Sequence, residues 1–143
     1  MTSVSDLLSQ PERQWSKAAG ANDAEIAELI SFIDFDLPDE YLELLRFSNG
    51  GEGELALPPR WFLLYEIKEA INSRNDEFHR SMFPNFLFFG SNGGLEMIAF
   101  DLTKITNPIV MVDPIAGQGS AVEIAPNIGE FINAIGLEFN ENA

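Results

Sequence analysis

Between residues 37 and 51, Tyr41, Leu42, Leu44, Leu45 and Phe47 recur at the spacing of one wide helical face, and both ends of that helix are written beside it. Pro38 suits the first helical position, where no N–H is required, and Asp39 and Glu40 follow where the positive end of the helix dipole favours carboxylates. Asn49-Gly50-Gly51 then supplies residues that tolerate positive φ at the C-terminal end. A second amphipathic helix precedes it: Asn22 caps, Glu25 stands three residues later in a capping-box arrangement, and Ile26, Leu29, Ile30 and Ile33 share a face. Phe35-Asp36-Leu37-Pro38 ends that helix, because the residue before a proline is pushed out of the α region. The link is short, so the two helices are expected to pack as a hairpin or corner.

Downstream the period changes. Glu54-Leu55-Ala56-Leu57 predicts a short strand, Pro58-Pro59 breaks it, and Trp61-Phe62-Leu63-Leu64 predicts another. Residues 65–75 read as a helix with Ile67, Ala70 and Ile71 on its buried side, followed by a further helical turn over 76–83 before Pro84. Four apolar runs follow, at 86–89, 95–102, 109–112 and 121–124, separated by glycine- and proline-rich loops too short for parallel crossovers. Apolar residues on both parities of 95–102 and 109–112 predict central strands covered on both faces. Asn127 and Glu130 form a last cap pair, with Ile128, Phe131, Ile132 and Ile135 behind them. The expected architecture is α+β: N-terminal helices packed on a mainly antiparallel sheet of about 4–6 strands, with a C-terminal helix. Residues 1–14 are expected to be an N-terminal arm docked by Trp15, residues 15–137 a single domain, and residues 138–143 a frayed acidic tail. The small residues of 17–21 read as a flexible link.

Composition narrows the function. A chain of 143 residues that is 45% hydrophobic accommodates one core. With 8 Lys+Arg and 23 Asp+Glu the formal charge is 8 − 23 = −15, which repels phosphate backbones and anionic headgroups and attracts basic partners. Neither nucleic acid nor membrane is therefore expected as a partner. Charge of this size also keeps many soluble proteins dispersed, and both readings remain open here. The absence of cysteine removes disulfides, thiolate metal sites and a cysteine nucleophile. The first residues lack a basic and then apolar leader, and no run reaches the ~20 apolar residues that span a bilayer, so a cytoplasmic protein is expected.

The search for chemistry returns little. The single histidine, His79, lies in a polar stretch and reads as structural; any metal site would have to be all-oxygen. Gly90-Ser91-Asn92-Gly93-Gly94 has the glycines of a phosphate loop but no following lysine, and it joins two strands rather than opening a helix. Asp101 and Asp113 fall near strand ends, where solvated or capping roles suffice. No catalytic residue, metal or cofactor is assigned. Asp39 and Glu40 at the helix start, with Glu52 and Glu54 just past the glycines, are the candidate contacts for an Arg- and Lys-rich protein partner.

Taken together, Trp15, the Ala-rich link, the apolar face of 26–33, Leu37-Pro38-Asp39-Glu40-Tyr41, Leu44-Leu45 and Asn49-Gly50-Gly51 resemble the SUKH superfamily, the Smi/Knr-like proteins named after a fungal cell-wall regulator. Phe88-Phe89-Gly90-Ser91-Asn92-Gly93-Gly94 with the strand up to Asp101 resembles that family's glycine-rich hairpin, and Ile109-Val110-Met111-Val112-Asp113 its next strand. Ile128-Gly129-Glu130-Phe131-Ile132 is similar to its closing helix, which usually carries Ser-Phe where this chain has Ile128-Gly129. The likeness runs from about Trp15 to Ile135. It implies an α+β fold, no shared catalytic residues, and mostly structural roles for Trp15, Pro38, Tyr41, Gly50, Gly90, Gly94 and Asp101. It also implies function through protein binding. In bacteria such proteins commonly neutralise secreted polymorphic or contact-dependent toxins, so the expectation is an immunity protein for a basic, nuclease-type toxin. The alternative is a regulatory or adaptor domain with no toxin partner.

Overall fold

Seven strands pair in the order in which they occur along the chain, every neighbouring pair antiparallel: β1 (Trp15–Lys17), β2 (Gly51–Glu54), β3 (Trp61–Leu64), β4 (Phe86–Ser91), β5 (Met97–Asp101), β6 (Ile109–Val112) and β7 (Val122–Ala125). The computed structural model describes residues 3–140, so the first two residues of the expected arm and the last three of the acidic tail lie outside the described residues. Six helices accompany the sheet among the described residues: α1 (Val4–Leu8), α2 (Asp23–Phe32), α3 (Asp39–Phe47), α4 (Ile67–Asn75), α5 (Glu77–Met82) and α6 (Ile128–Ala134). The α+β class and closing helix are as the sequence predicts, and the sheet exceeds the expected 4–6 strands by the short β1 at its edge.

β2 begins three residues earlier than predicted. The apolar Leu55 to Leu57 suggested a strand by side-chain character, whereas the ladder is formed by Gly51 to Glu54, whose backbones pair with β1 on one side and β3 on the other. Leu55 makes only an isolated bridge to Ile135. Pro38 is the N-cap of α3 (φ −61°, ψ 140°) rather than its first helical residue, because the extended ψ turns the chain into the helix one residue later. At α2 the capping box is complete: Asn22 Oδ1 accepts from Glu25 N (2.8 Å) and Glu25 Oε1 accepts from Asn22 N (3.0 Å).

The sheet is covered unequally. On one face Phe62, Leu64, Leu87, Phe89, Ile98 and Phe100 join the buried sides of α2, α3 and α6 in the main core. Phe62 meets Phe131 edge to face at 4.9 Å, and Phe89 stacks on Phe100 at 4.4 Å, arrangements that add to the ~1.5–3 kcal/mol each buried ring contributes. On the other face Phe83, just after α5, closes a smaller core over Phe86, Phe88, Ala99, Val110 and Val112. At the β1–β2–β3 end of that second face Glu52 is exposed and Trp61 and Leu63 are only half-buried.

α4 sits where the sheet splits. β3 pairs with β4 only through Leu63 and Leu64, so the first half of β4 lacks a strand on that side, and α4 packs there instead. Arg74 satisfies the exposed backbone: its Nη1 donates to the carbonyls of Pro84 (3.2 Å) and Phe86 (3.4 Å), while Nε and Nη2 grip Asp34 at 3.0–3.2 Å.

Both ends of the domain differ from the expected loose segments. Residues 4–8 form α1, whose Val4 and Leu8 are buried against the main core beside α3. Three apolar positions in five residues are too few for a periodicity argument. After α6, Gln14 N donates to Gly136 O (2.7 Å) and Gly136 N to Glu54 O (2.7 Å), while the Arg13 guanidinium donates to the carbonyls of Asn133 and Ile135. At the start of the expected tail, Phe139 lies under the Arg60 guanidinium, 4.6 Å from its ring centroid. β1 and β7 are the two rims of the sheet, β1 ending at Lys17 and β7 carrying Glu123. No helix among the described residues is long and apolar enough to cross a membrane.

Candidate functional site

The stretch that closes α3 does more than cap it. Ser48 is fully buried, and its hydroxyl accepts from Trp15 Nε1 (3.3 Å) and Ala18 N (3.1 Å) while donating to Gly50 O (2.6 Å). Asn49 is the second knot: Oδ1 accepts from Ile67 N (2.8 Å), Nδ2 donates to Glu25 Oε2 (3.3 Å) and its amide donates to Ala19 O (2.9 Å). Two side chains therefore tie β1, α2, α3, β2 and α4 together. Gly50 and Gly51 follow at φ +112° and +100°, and a Cβ on Gly51 would stand 2.6 Å from Ser16 O. The sequence marks this site through Asn49-Gly50-Gly51, read only for tolerance of positive φ, which Gly50 and Gly51 adopt. The missed signal is the Ser-Asn pair before them, residue types whose side chains replace backbone partners where a helix ends.

The residues carried by the family likeness divide in the same way. Trp15 stacks on Phe62 at 5.8 Å, and Tyr41 is buried edge-on to Phe100 (5.3 Å) and Phe89 (5.7 Å). Burial raises the Tyr41 hydroxyl pKa, and the buried oxygen has no hydrogen-bond partner. Gly90 sits at the β4 bulge with Phe62 so close that a Cβ would fall 2.4 Å from its ring. Asp101 accepts from Thr103 N (2.9 Å) and Oγ1 (2.6 Å), closing the turn after β5. Gly94 is exposed, and only Asn92 Oδ1 would approach its Cβ.

The four candidate partner contacts do not form one patch. Asp39 and Glu40 lie in the first turn of α3, on the helix-covered side, where with Glu43, Glu130 and Asn133 they line a groove between α1, α3 and α6. Glu52 and Glu54 point the opposite way. Gly53 and its partner Phe62 face the main core, so the alternation of the strand turns Glu52 and Glu54 to the uncovered face. There Glu52 Oε1 accepts from Trp61 Nε1 (3.0 Å), and Glu54 pairs in register with Trp61. No group of three or more His, Asp or Glu among the described residues is placed to hold a metal ion.

Farther along this face, Tyr65, Glu69, Asn72, Asp76, His79 and Met97 line an open cavity of ≈ 340 Å³ beside α4 and α5. Burial, with Glu69 nearby, pushes the Tyr65 hydroxyl up to about 12 despite a hydrogen bond with Ser91. His79, expected to be structural, is half-buried: Nδ1 lies 3.0 Å from Ser73 Oγ, and its ring leans on Phe88 at 5.2 Å. Residues 90–94 join β4 and β5 as the expected tight turn, with Ser91 Oγ and Asn92 Oδ1 accepting from the amides of Gly93 and Gly94.

These elements define an α+β domain in which an antiparallel meander is covered by helices on one face and left half open on the other, with acidic surfaces on both. Residues 20–134 match the SMI1 / KNR4 family (SUKH-1), and the chain belongs to that family. None of the curated proteins compared with the chain matches it.

Proposed function

We propose that the chain is a protein-binding domain acting in the cytoplasm without chemistry of its own: a bacterial immunity protein that binds and neutralises a cognate toxin, a basic one of nuclease type. The observation that carries this reading is how the few cations are spent. Among the described residues Arg13 caps backbone carbonyls, Lys17 lies over Phe47, and Arg46, Arg74 and Lys104 each lie within 4 Å of a carboxylate. With 8 cationic side chains against 23 carboxylates, the acids outnumber any internal counter-charge by 15, and a positively charged partner is what such a surface attracts. The acidic surface would steer capture of the toxin and occupy the positions of the phosphates that a nuclease binds. Membership of the SUKH-1 family supports binding over catalysis.

The test is to purify the chain with the toxin domain encoded beside its gene and to titrate one into the other over a range of salt concentrations. A complex at micromolar affinity or tighter, weakening steeply with salt, is expected. Absence of a complex with any neighbouring toxin counts against the reading. A salt-independent complex removes the charge argument alone, and a partner unrelated to toxins moves the chain to the regulatory adaptor role.

A further inference from the structure

The strand register lays one continuous row of side chains across the uncovered face: Glu52 opposite Leu63, Leu63 opposite Ser91, and Ser91 opposite Met97. Glu52 is exposed, and Leu63 and Met97 are half-buried. Trp61 and Tyr65, two residues before and two after Leu63 along the chain, flank the row on its two sides: Trp61 lies within 3.9 Å of where a Cβ on Gly93 would be, and Tyr65 leads into the cavity with Glu69 and Asp76. No lysine or arginine lines that cavity.

We propose that this open half of the sheet is the docking surface for an extended arginine- or lysine-bearing segment of the partner protein, a site that rests on the basic-partner reading above. Half-exposed Leu63 and Met97 supply an apolar floor, so a peptide laid across them loses little by desolvation. Trp61 and Tyr65 offer ring edges and faces to a guanidinium or ammonium group. Glu52 and Glu54 at one end, with Glu69 and Asp76 at the other, set two carboxylate pairs along the row to receive cationic side chains. The groove between α1, α3 and α6 is also acidic but brings no aromatic ring to its carboxylates.

The test uses two triple variants with equal loss of charge. Glu52→Gln/Glu69→Gln/Asp76→Asn strips the sheet face while keeping an acceptor for Trp61 Nε1 and the Asp76 cap on His79 N. Glu40→Gln/Glu43→Gln/Glu130→Gln strips the helix side. If the neighbouring toxin domain binds, the sheet-face variant should weaken it tenfold or more and the helix-side variant about twofold or less. Equal losses in both, or loss in the helix-side variant alone, overturn the site while leaving a basic partner in place. In parallel, an arginine-rich nonapeptide is titrated into the isotope-labelled full chain. Amide shifts centred on Glu52, Leu63, Ser91 and Met97 are expected; shifts centred on α3 and α6, or none, overturn the proposal. Failure of the toxin domain to bind, with these sheet-face amides still moving, would refute the toxin reading and keep the site.

Discussion

Replacing Ser48 by alanine removes one oxygen and strands three groups at once. The Ala18 amide and the Gly50 carbonyl lose their partner in a place where Ser48 itself is 0% exposed, and Trp15 loses the acceptor for its indole N–H. A buried polar group left unsatisfied costs ~1–3 kcal/mol, so the two backbone groups together cost about 2–6 kcal/mol. The half-buried indole reaches water and adds less than ~1 kcal/mol. In a chain of this length each kcal/mol lowers Tm by ~3 °C, so the two backbone groups give a drop of about 6–18 °C. The assay is urea unfolding followed by circular dichroism, with thermal melts alongside. Ser31→Ala is the control, since that hydroxyl is exposed and donates only to Glu28 O within α2; its effect should stay below ~0.5 kcal/mol. In a Trp61→Phe background the remaining indole reports the site directly, and its emission should shift in Ser48→Ala. If Ser48→Ala unfolds within ~0.5 kcal/mol of the parent with an unchanged m-value, the hydroxyl does not hold the junction of β1, α3 and β2.

Other perturbations separate packing from charge. Leu45, fully buried in α3, should cost ~2–5 kcal/mol as Leu45→Ala in urea unfolding, and a neutral result would mean the α3 face does not line the core. Gly90→Ala places a methyl 2.4 Å from Phe62 and should destabilise by ~1–3 kcal/mol or more, whereas Gly94→Ala, with only Asn92 Oδ1 nearby, should leave the urea midpoint nearly unchanged. Both tyrosines have hydroxyls raised above the ordinary value of 10.0, so the native protein should show no phenolate absorbance as the pH passes 10, while the urea-unfolded chain does. The sign follows: the unfolded state loses its tyrosine protons first, so this stability is complete below pH 10 and is lost as the pH climbs toward about 12.

What the sequence made legible follows the strength of local rules. The Asn22 and Glu25 pair, the α3 stripe and the runs at 86–89 and 109–112 are all local patterns, and each lands on its element. β1 and β2 were harder, because their pairing is decided by backbone groups of distant segments and Gly51-Glu52-Gly53-Glu54 carries no apolar side chain to betray it. The candidate site shows the same divide. Asp39, Glu40, Glu52 and Glu54 were recognisable as accessible acids, but which way Glu52 points depends on Gly53 lying opposite Phe62, a fact of register that no spacing rule contains. Met97 falls in a run expected to be covered on both faces, yet it is only half-buried, because how far cover extends along a sheet is set by tertiary packing and not by the run's own apolar character.

The sequential order of the strands leaves two rims, β1 and β7, each with one row of backbone groups free to pair with another molecule. β1 spans only three residues, and Val122 on β7 is half-exposed, so the side chains there are a thin fence. At neutral pH the mutual repulsion of molecules carrying −15 keeps rims apart at distance. That protection is colloidal rather than built into the strands, and acid or concentrated salt withdraws it while leaving the rims intact. Sheet-to-sheet association at low pH is therefore a hazard set by the topology, and the heavy acidic charge guards the shelf life of the fold.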